Sequence, residues 1–249
     1  MNPLKPRTPS RFGTVTALLL VAAGASAQTG NGHESKPAPA PTPRLADGTV
    51  DLGGDGIWNQ PWITDFGKVL AGGADAKVPF LPWTKAMFDY NAATKVAYDP
   101  EGFCLPPGGP RMFGTPYPSQ FIQQPKRIIV IFEGGAHVWR EIHMDGRPLP
   151  KREDINPTYF GYSVGHWEGD TLVVETTGFN DRTWLNEEGA QHSDALHLVE
   201  RIRPLLGGRY LEHKMTAEDT KTLAKPYTYT RYFKKIDTEV MDDPCQDEP

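Results

Sequence analysis

The chain has 249 residues, with 26 Lys and Arg against 31 Asp and Glu and a formal net charge of −5. Its basic residues are interspersed with acidic ones and form no stripe. That excludes nucleic acid as a partner, because phosphate binding needs concentrated Lys and Arg.

The chain opens on a secretory pattern. Lys5, Arg7 and Arg11 precede an apolar run over residues 12–23, and the small residues Gly24, Ala25, Ser26 and Ala27 follow. A charged flank, a short apolar core and an A-x-A site predict a signal peptide over 1–27, cleaved after Ala27. The run is too short for a bilayer, which takes ~20 residues. No later segment is apolar enough for a membrane span, so a periplasmic or secreted protein is expected.

Residues 28–45 are rich in Pro and Ala, with Pro37, Pro39, Pro41 and Pro43 in alternation. Such a segment buries too little apolar surface to offset its ordering entropy and reads as a tether. Residues 46–249 remain as a single domain, about the size that one core serves. In an exported chain, the pair Cys104 and Cys245 predicts a disulfide that staples the tail to the body.

The first third of the domain is irregular and Pro/Gly-rich, with one short helix expected over 84–94, its Ala86, Phe88, Ala92 and Ala93 available for packing. From residue 118 the texture becomes β-rich. Strands are expected over 120–123 and 127–132, split by Pro125, then over 136–144, with Asp145-Gly146 as a hairpin-type turn. Further strands are expected over 159–167, 171–177, 195–203, 209–216 and 227–236. Eight closely spaced strands with short connections predict an all-β fold, an antiparallel up-and-down β-barrel of lipocalin-like type, in preference to a sandwich.

Alternation along a strand assigns faces. Over 136–144, His137, Trp139, Glu141 and His143 oppose Val138, Arg140 and Ile142. Over 195–203, His197, Val199, Arg201 and Arg203 oppose Leu196, Leu198, Glu200 and Ile202. Aromatic residues with a few polar groups suit small-molecule pockets, so Trp139, Glu141, His137, Trp184 and Trp167 are candidate ligand-binding residues. The densest acid–base vocabulary lies over 178–201. There His192 or His197 would act as base, oriented by Asp181 or Glu200, with Arg201 stabilising an oxyanion.

Other chemistries find less support. His192 and His197 are five apart and face opposite ways on one strand, while His137 and His143 would stand ~20 Å apart. No metal is expected, and no cofactor, because no phosphate-binding Gly loop precedes a helix. Gly161-Tyr162-Ser163-Val164-Gly165 matches G-x-S-x-G, but the nucleophile elbow requires a strand–turn–helix and this segment runs on into strand.

One string of residues is distinctive: Gly161-x-Ser163-x-Gly165-x-Trp167-Glu168-Gly169-Asp170-Thr171-Leu172-Val173-Val174, then Gly178-Phe179-Asn180-Asp181, then His192-Ser193-x-x-Leu196-His197-x-x-Glu200-Arg201. It resembles the signature of a family of uncharacterised exported bacterial proteins, over about residues 106–227. The resemblance implies export and marks 192–201 and the 167–170 turn as hallmark positions. Three functions follow as expectations. The first is an exported small-molecule-binding barrel whose ligand is aromatic or apolar, with His192, Asp181, His197 and Arg201 as polar specifiers. The second is an enzyme on the same barrel, an isomerase, lyase or hydrolase. The third is a structural envelope-associated protein, marked by a large exposed apolar patch.

Overall fold

In the computed structural model, which describes residues 40–60, 78–242 and 245, the alternation of Leu198, Glu200, Ile202 and Pro204 against His197, Val199, Arg201 and Arg203 becomes inside against outside. The same alternation along nine strands builds a closed barrel, each strand neighbouring the next in sequence. They are β1 (Ile57–Asn59), β2 (Ser119–Gln124), β3 (Arg127–Phe132), β4 (Trp139–His143), β5 (Tyr162–Glu168), β6 (Thr171–Thr177), β7 (His197–Leu205), β8 (Tyr210–Glu218) and β9 (Tyr227–Ile236). Closure comes from β1, which pairs with β2 through Trp58↔Ser119 and with β9 through Ile57↔Ile236. Closing the sheet removes the unpaired edges that an open one would expose.

The all-β barrel is as expected, but it is not up-and-down throughout. β4 and β5 are parallel, in register at Ile142↔Ser163 and His143↔Val164; every other neighbouring pair is antiparallel. A parallel pair needs a connection that returns to the starting end. Residues 144–161 provide it, with a 3-10 turn at Arg152–Asp154. Asp145-Gly146 therefore opens a crossover, not a hairpin. The strand expected over 136–144 is also shorter, because Gly134–His137 form a helical turn, α3, and the backbone becomes extended only from Val138.

The barrel interior is packed with side chains. Phe121, Val130, Phe132, Ile142, Leu172, Val174, Ile202, Leu211 and Phe233 all face inward and are almost wholly buried. A four-residue helix, α2 (Gly109–Met112), adds Met112 to this cluster and Phe113 follows it in. Tyr229 donates to the Pro110 carbonyl at 3.2 Å and Arg231 to the Phe113 carbonyl at 3.2 Å, so backbone groups of the plug find partners on β9. Burying a side chain the size of Phe113 contributes about 1.5–3 kcal/mol. A second cluster joins Phe179, Leu185, Leu196 and Tyr227 to Phe88 of helix α1 (Pro82–Ala93).

Helix α1 lies where a helix was expected but turns a different side inward. Thr84, Phe88 and Asn91 face the body, whereas Ala86, Ala92 and Ala93 are exposed. Its contacts are largely polar: Thr84 donates to the Thr222 carbonyl at 2.6 Å and Asn91 to the Gly189 carbonyl at 2.9 Å. The Cys104–Cys245 disulfide is formed, across a separation of 141 residues. Among the described residues no helix is long and apolar enough to cross a membrane. The expected signal peptide and most of the expected tether lie outside the described residues. From residue 40 the chain lies along the barrel, where Thr42 donates to Asp170 at 2.5 Å and Arg44 pairs with Asp170.

Candidate functional site

Arg140 and Glu200 are charged residues on otherwise apolar faces of their strands, and the barrel brings them together. Arg140 donates from Nη1 to Glu200 Oε1 at 3.0 Å and from Nη2 to Oε2 at 2.5 Å, with both side chains buried. Its Nε donates to Ser163 Oγ at 3.1 Å and its Nη2 to Thr176 Oγ1 at 2.7 Å. His213 completes the set, its Nε2–H donating to Glu200 Oε1 at 2.9 Å, a tautomer assigned from this carboxylate partner. Among the described residues the His213 Nδ1 has no hydrogen-bond partner, and the ring lies 4.4 Å from that of Phe113. The result is a polar belt with one residue from each of five neighbouring strands, β4 to β8. Burial alone would raise the Glu200 carboxyl. The Arg140 charge and the hydrogen bonds from His213 and Arg140 outweigh it and hold the pKa down at about 2.

Because β4 and β5 are in register only at two positions, their starting ends part, and a notch of about 420 Å³ opens there. Trp139, Glu141 and His143 line it from the outward face of β4, and Tyr159, Phe160 and Tyr162 from the approach to β5. Arg140 and Ser163 form its floor, so the notch and the belt share two residues. Trp139 is 59% exposed. The Tyr162 ring lies 4.8 Å from that of His143, and its hydroxyl accepts from Arg147 at 2.8 Å. Glu141 stands between Arg127, at 3.6 Å, and His143, at 3.7 Å. No protein-family model matches the chain, and no curated protein matches it.

The G-x-S-x-G match owes its glycines to packing. A Cβ on Gly161, at φ +68°, would come within 2.7 Å of the Thr177 carbonyl oxygen, and one on Gly165 within 2.9 Å of Ile142. Ser163 between them is the second residue of β5, 2% exposed and hydrogen-bonded to Arg140 and Thr176, in a chain that runs on as strand and not into a helix.

The remaining candidates are dispersed. His192 is buried, with Nδ1–H donating to the Ser193 carbonyl at 3.1 Å and Nε2 accepting from Thr183 at 2.7 Å. Burial lowers its pKa below the ordinary histidine value, so the ring is neutral and both nitrogens are satisfied. Replacing Thr183 with Val would strand the buried Nε2, and a loss of about 1–3 kcal/mol is expected in urea unfolding. An unchanged midpoint would contradict this structural role for His192.

His197 is on the outer face of β7 between Glu175, at 3.6 Å, and Glu218, at 3.7 Å, while Glu200 points inward. Arg201 is also outward, donating to Glu168 at 2.8 Å, and Asp181 lies on an exposed loop beside Arg152 and Asp194. These five residues share no single space. Trp184 is buried, 5.9 Å from the Arg111 guanidinium, and Trp167 borders a separate groove with Leu45 and Met144. The His137 side chain lies outside the described set, so of the candidate ligand-binding residues the notch unites Trp139 and Glu141. Among the described residues no three His, Cys, Asp or Glu side chains cluster in a way that could hold a metal.

Arg140, Ser163, Tyr162 and His213 are not among the site residues expected from the sequence. Their signal is a basic residue on the apolar face of one strand and an acidic one on that of another. Opposite charges at inward positions of one barrel must pair, because an unpaired buried charge is too costly.

Proposed function

We propose that this protein is an exported small-molecule-binding β-barrel whose ligand lies in the notch between β4 and β5, a ring face against Trp139. The observation that carries this reading is a large aromatic side chain left 59% exposed beside Tyr162, above a floor of buried polar groups. An apolar wall with a few convergent polar groups is the usual composition of a ligand site. Export is supported by the leader pattern at 1–27 and by the disulfide, since disulfides persist in oxidising compartments.

Native mass spectrometry of the full chain, isolated from the cells that make it, tests the reading. A noncovalent metabolite adduct is expected on the wild type and on Trp83→Ala, and its loss is expected on Trp139→Ala. An adduct that persists in Trp139→Ala, or none on the wild type, contradicts the reading.

The envelope-associated alternative rests on a different observation. Trp83, Met87 and Tyr90, at i, i+4 and i+7 of α1, are all exposed, and the Tyr98 ring stacks 6.2 Å from that of Tyr90. An adduct insensitive to Trp139 but lost from Trp83→Ala would favour that surface.

A further inference from the structure

The charges around the notch decide which ligands it accepts. All three Arg140 guanidinium nitrogens are bonded to Glu200, Ser163 and Thr176. The guanidinium of Arg147 is likewise committed, to Asp145 and Tyr162. Arg127 faces Glu141 and donates to Gln124 at 2.6 Å. An anionic ligand would thus give up its hydration without gaining a free cation among these three arginines. A quaternary ammonium gains most where aromatic rings lie close over it in a desolvated site; Trp139 instead stands out as a platform open to solvent.

The notch is lined by Trp139, the exposed one, and by Tyr159, Phe160 and Tyr162, with hydrogen-bonding groups on Glu141, His143 and Tyr159. A pyranose ring has the matching amphipathic shape, with an apolar C–H face and hydroxyls around its rim. Resting on the proposed ligand site, we infer that the notch binds a neutral saccharide, one sugar ring stacked on Trp139 with its rim hydroxyls toward Glu141 and His143.

Saturation-transfer difference NMR on the full chain tests this with four neutral disaccharides (cellobiose, maltose, lactose and N,N′-diacetylchitobiose) and, separately, with choline and benzoate. Transfer to the ring C–H protons of at least one disaccharide is expected. Its affinity should fall by about tenfold or more in Trp139→Ala, the loss of a stacked ring contact, and stay unchanged in Trp83→Ala. Transfer to choline or benzoate alone, abolished by Trp139→Ala, overturns the saccharide while leaving the notch as a ligand site. No Trp139-dependent transfer to any of the six probes overturns both.

Discussion

Replacing Glu200 with Ala is expected to lower the unfolding free energy by about 3–5 kcal/mol, the usual consequence of leaving one partner of a buried ion pair without the other. Here the stranded group would be Arg140, buried on β4, and Ser163 and Thr176 bring it no negative charge. His213 would lose the acceptor of its Nε2–H as well. The double variant Arg140→Met/Glu200→Leu removes both charges and is expected to be more stable than Glu200→Ala, since well-packed apolar replacements of buried pairs are tolerated. Urea midpoints compare them; a Glu200→Ala protein as stable as the wild type would show that the belt contributes little.

The same pair sets an acid limit. The folded-state pKa of Glu200, about 2, lies below the ordinary 4.5. A depressed carboxylate pKa means stabilisation that is present in full above about 4.5 and is lost as pH falls from there toward 2. Glu200→Gln is expected to flatten that part of the stability–pH curve. A wild-type curve with no slope between pH 4.5 and 2 would contradict it.

Reducing the Cys104–Cys245 disulfide is the second large effect expected. The bond closes a loop of 141 residues that includes every strand from β2 to β9. In the chain-entropy account, closing so long a loop restricts the unfolded chain by about 5 kcal/mol. Its loss should also free the segment after β9, where the Met241 amide donates to Glu133 at 2.7 Å. Urea unfolding of Cys104→Ser/Cys245→Ser against the oxidised wild type reads the difference, and coincident midpoints would rule out this staple as a source of stability.

How legible these features are in the sequence depends on whether they are local. β6 begins and ends where expected because Gly169-Asp170 and Gly178 bracket an uninterrupted β-rich run, and β9 over 227–236 is as plain. β1 is three residues, Ile57–Asn59, in a Gly-rich stretch, and it becomes a strand only because β2 and β9 present edges to it. The parallel seam is invisible for a related reason, since the direction in which a strand pairs is not encoded in its own alternation. Asp145-Gly146 has the same local chemistry whether it closes a hairpin or starts a crossover. The inward positions of Arg140 and Glu200 were readable from alternation, but their pairing across the barrel required the closed sheet. For His192 the residue type invited a catalytic role, whereas its burial and its hydrogen bond to Thr183 depend on how the loop packs and are not legible in the residue type.

The notch itself follows from the seam: β4 and β5 are in register at only two pairs, and toward their starting ends Trp139 and Tyr162 line an opening that reaches Arg140 and Ser163. Amide and indole chemical shifts of the uniformly ¹⁵N-labelled chain, recorded as the low-molecular-mass fraction of the producing cells' extract is added, test that site most directly. The perturbations are predicted to concentrate on residues 139–143 and 159–163 and on the Trp139 indole. Perturbations centred on α1 or elsewhere on the barrel, with these signals unmoved, would contradict the account.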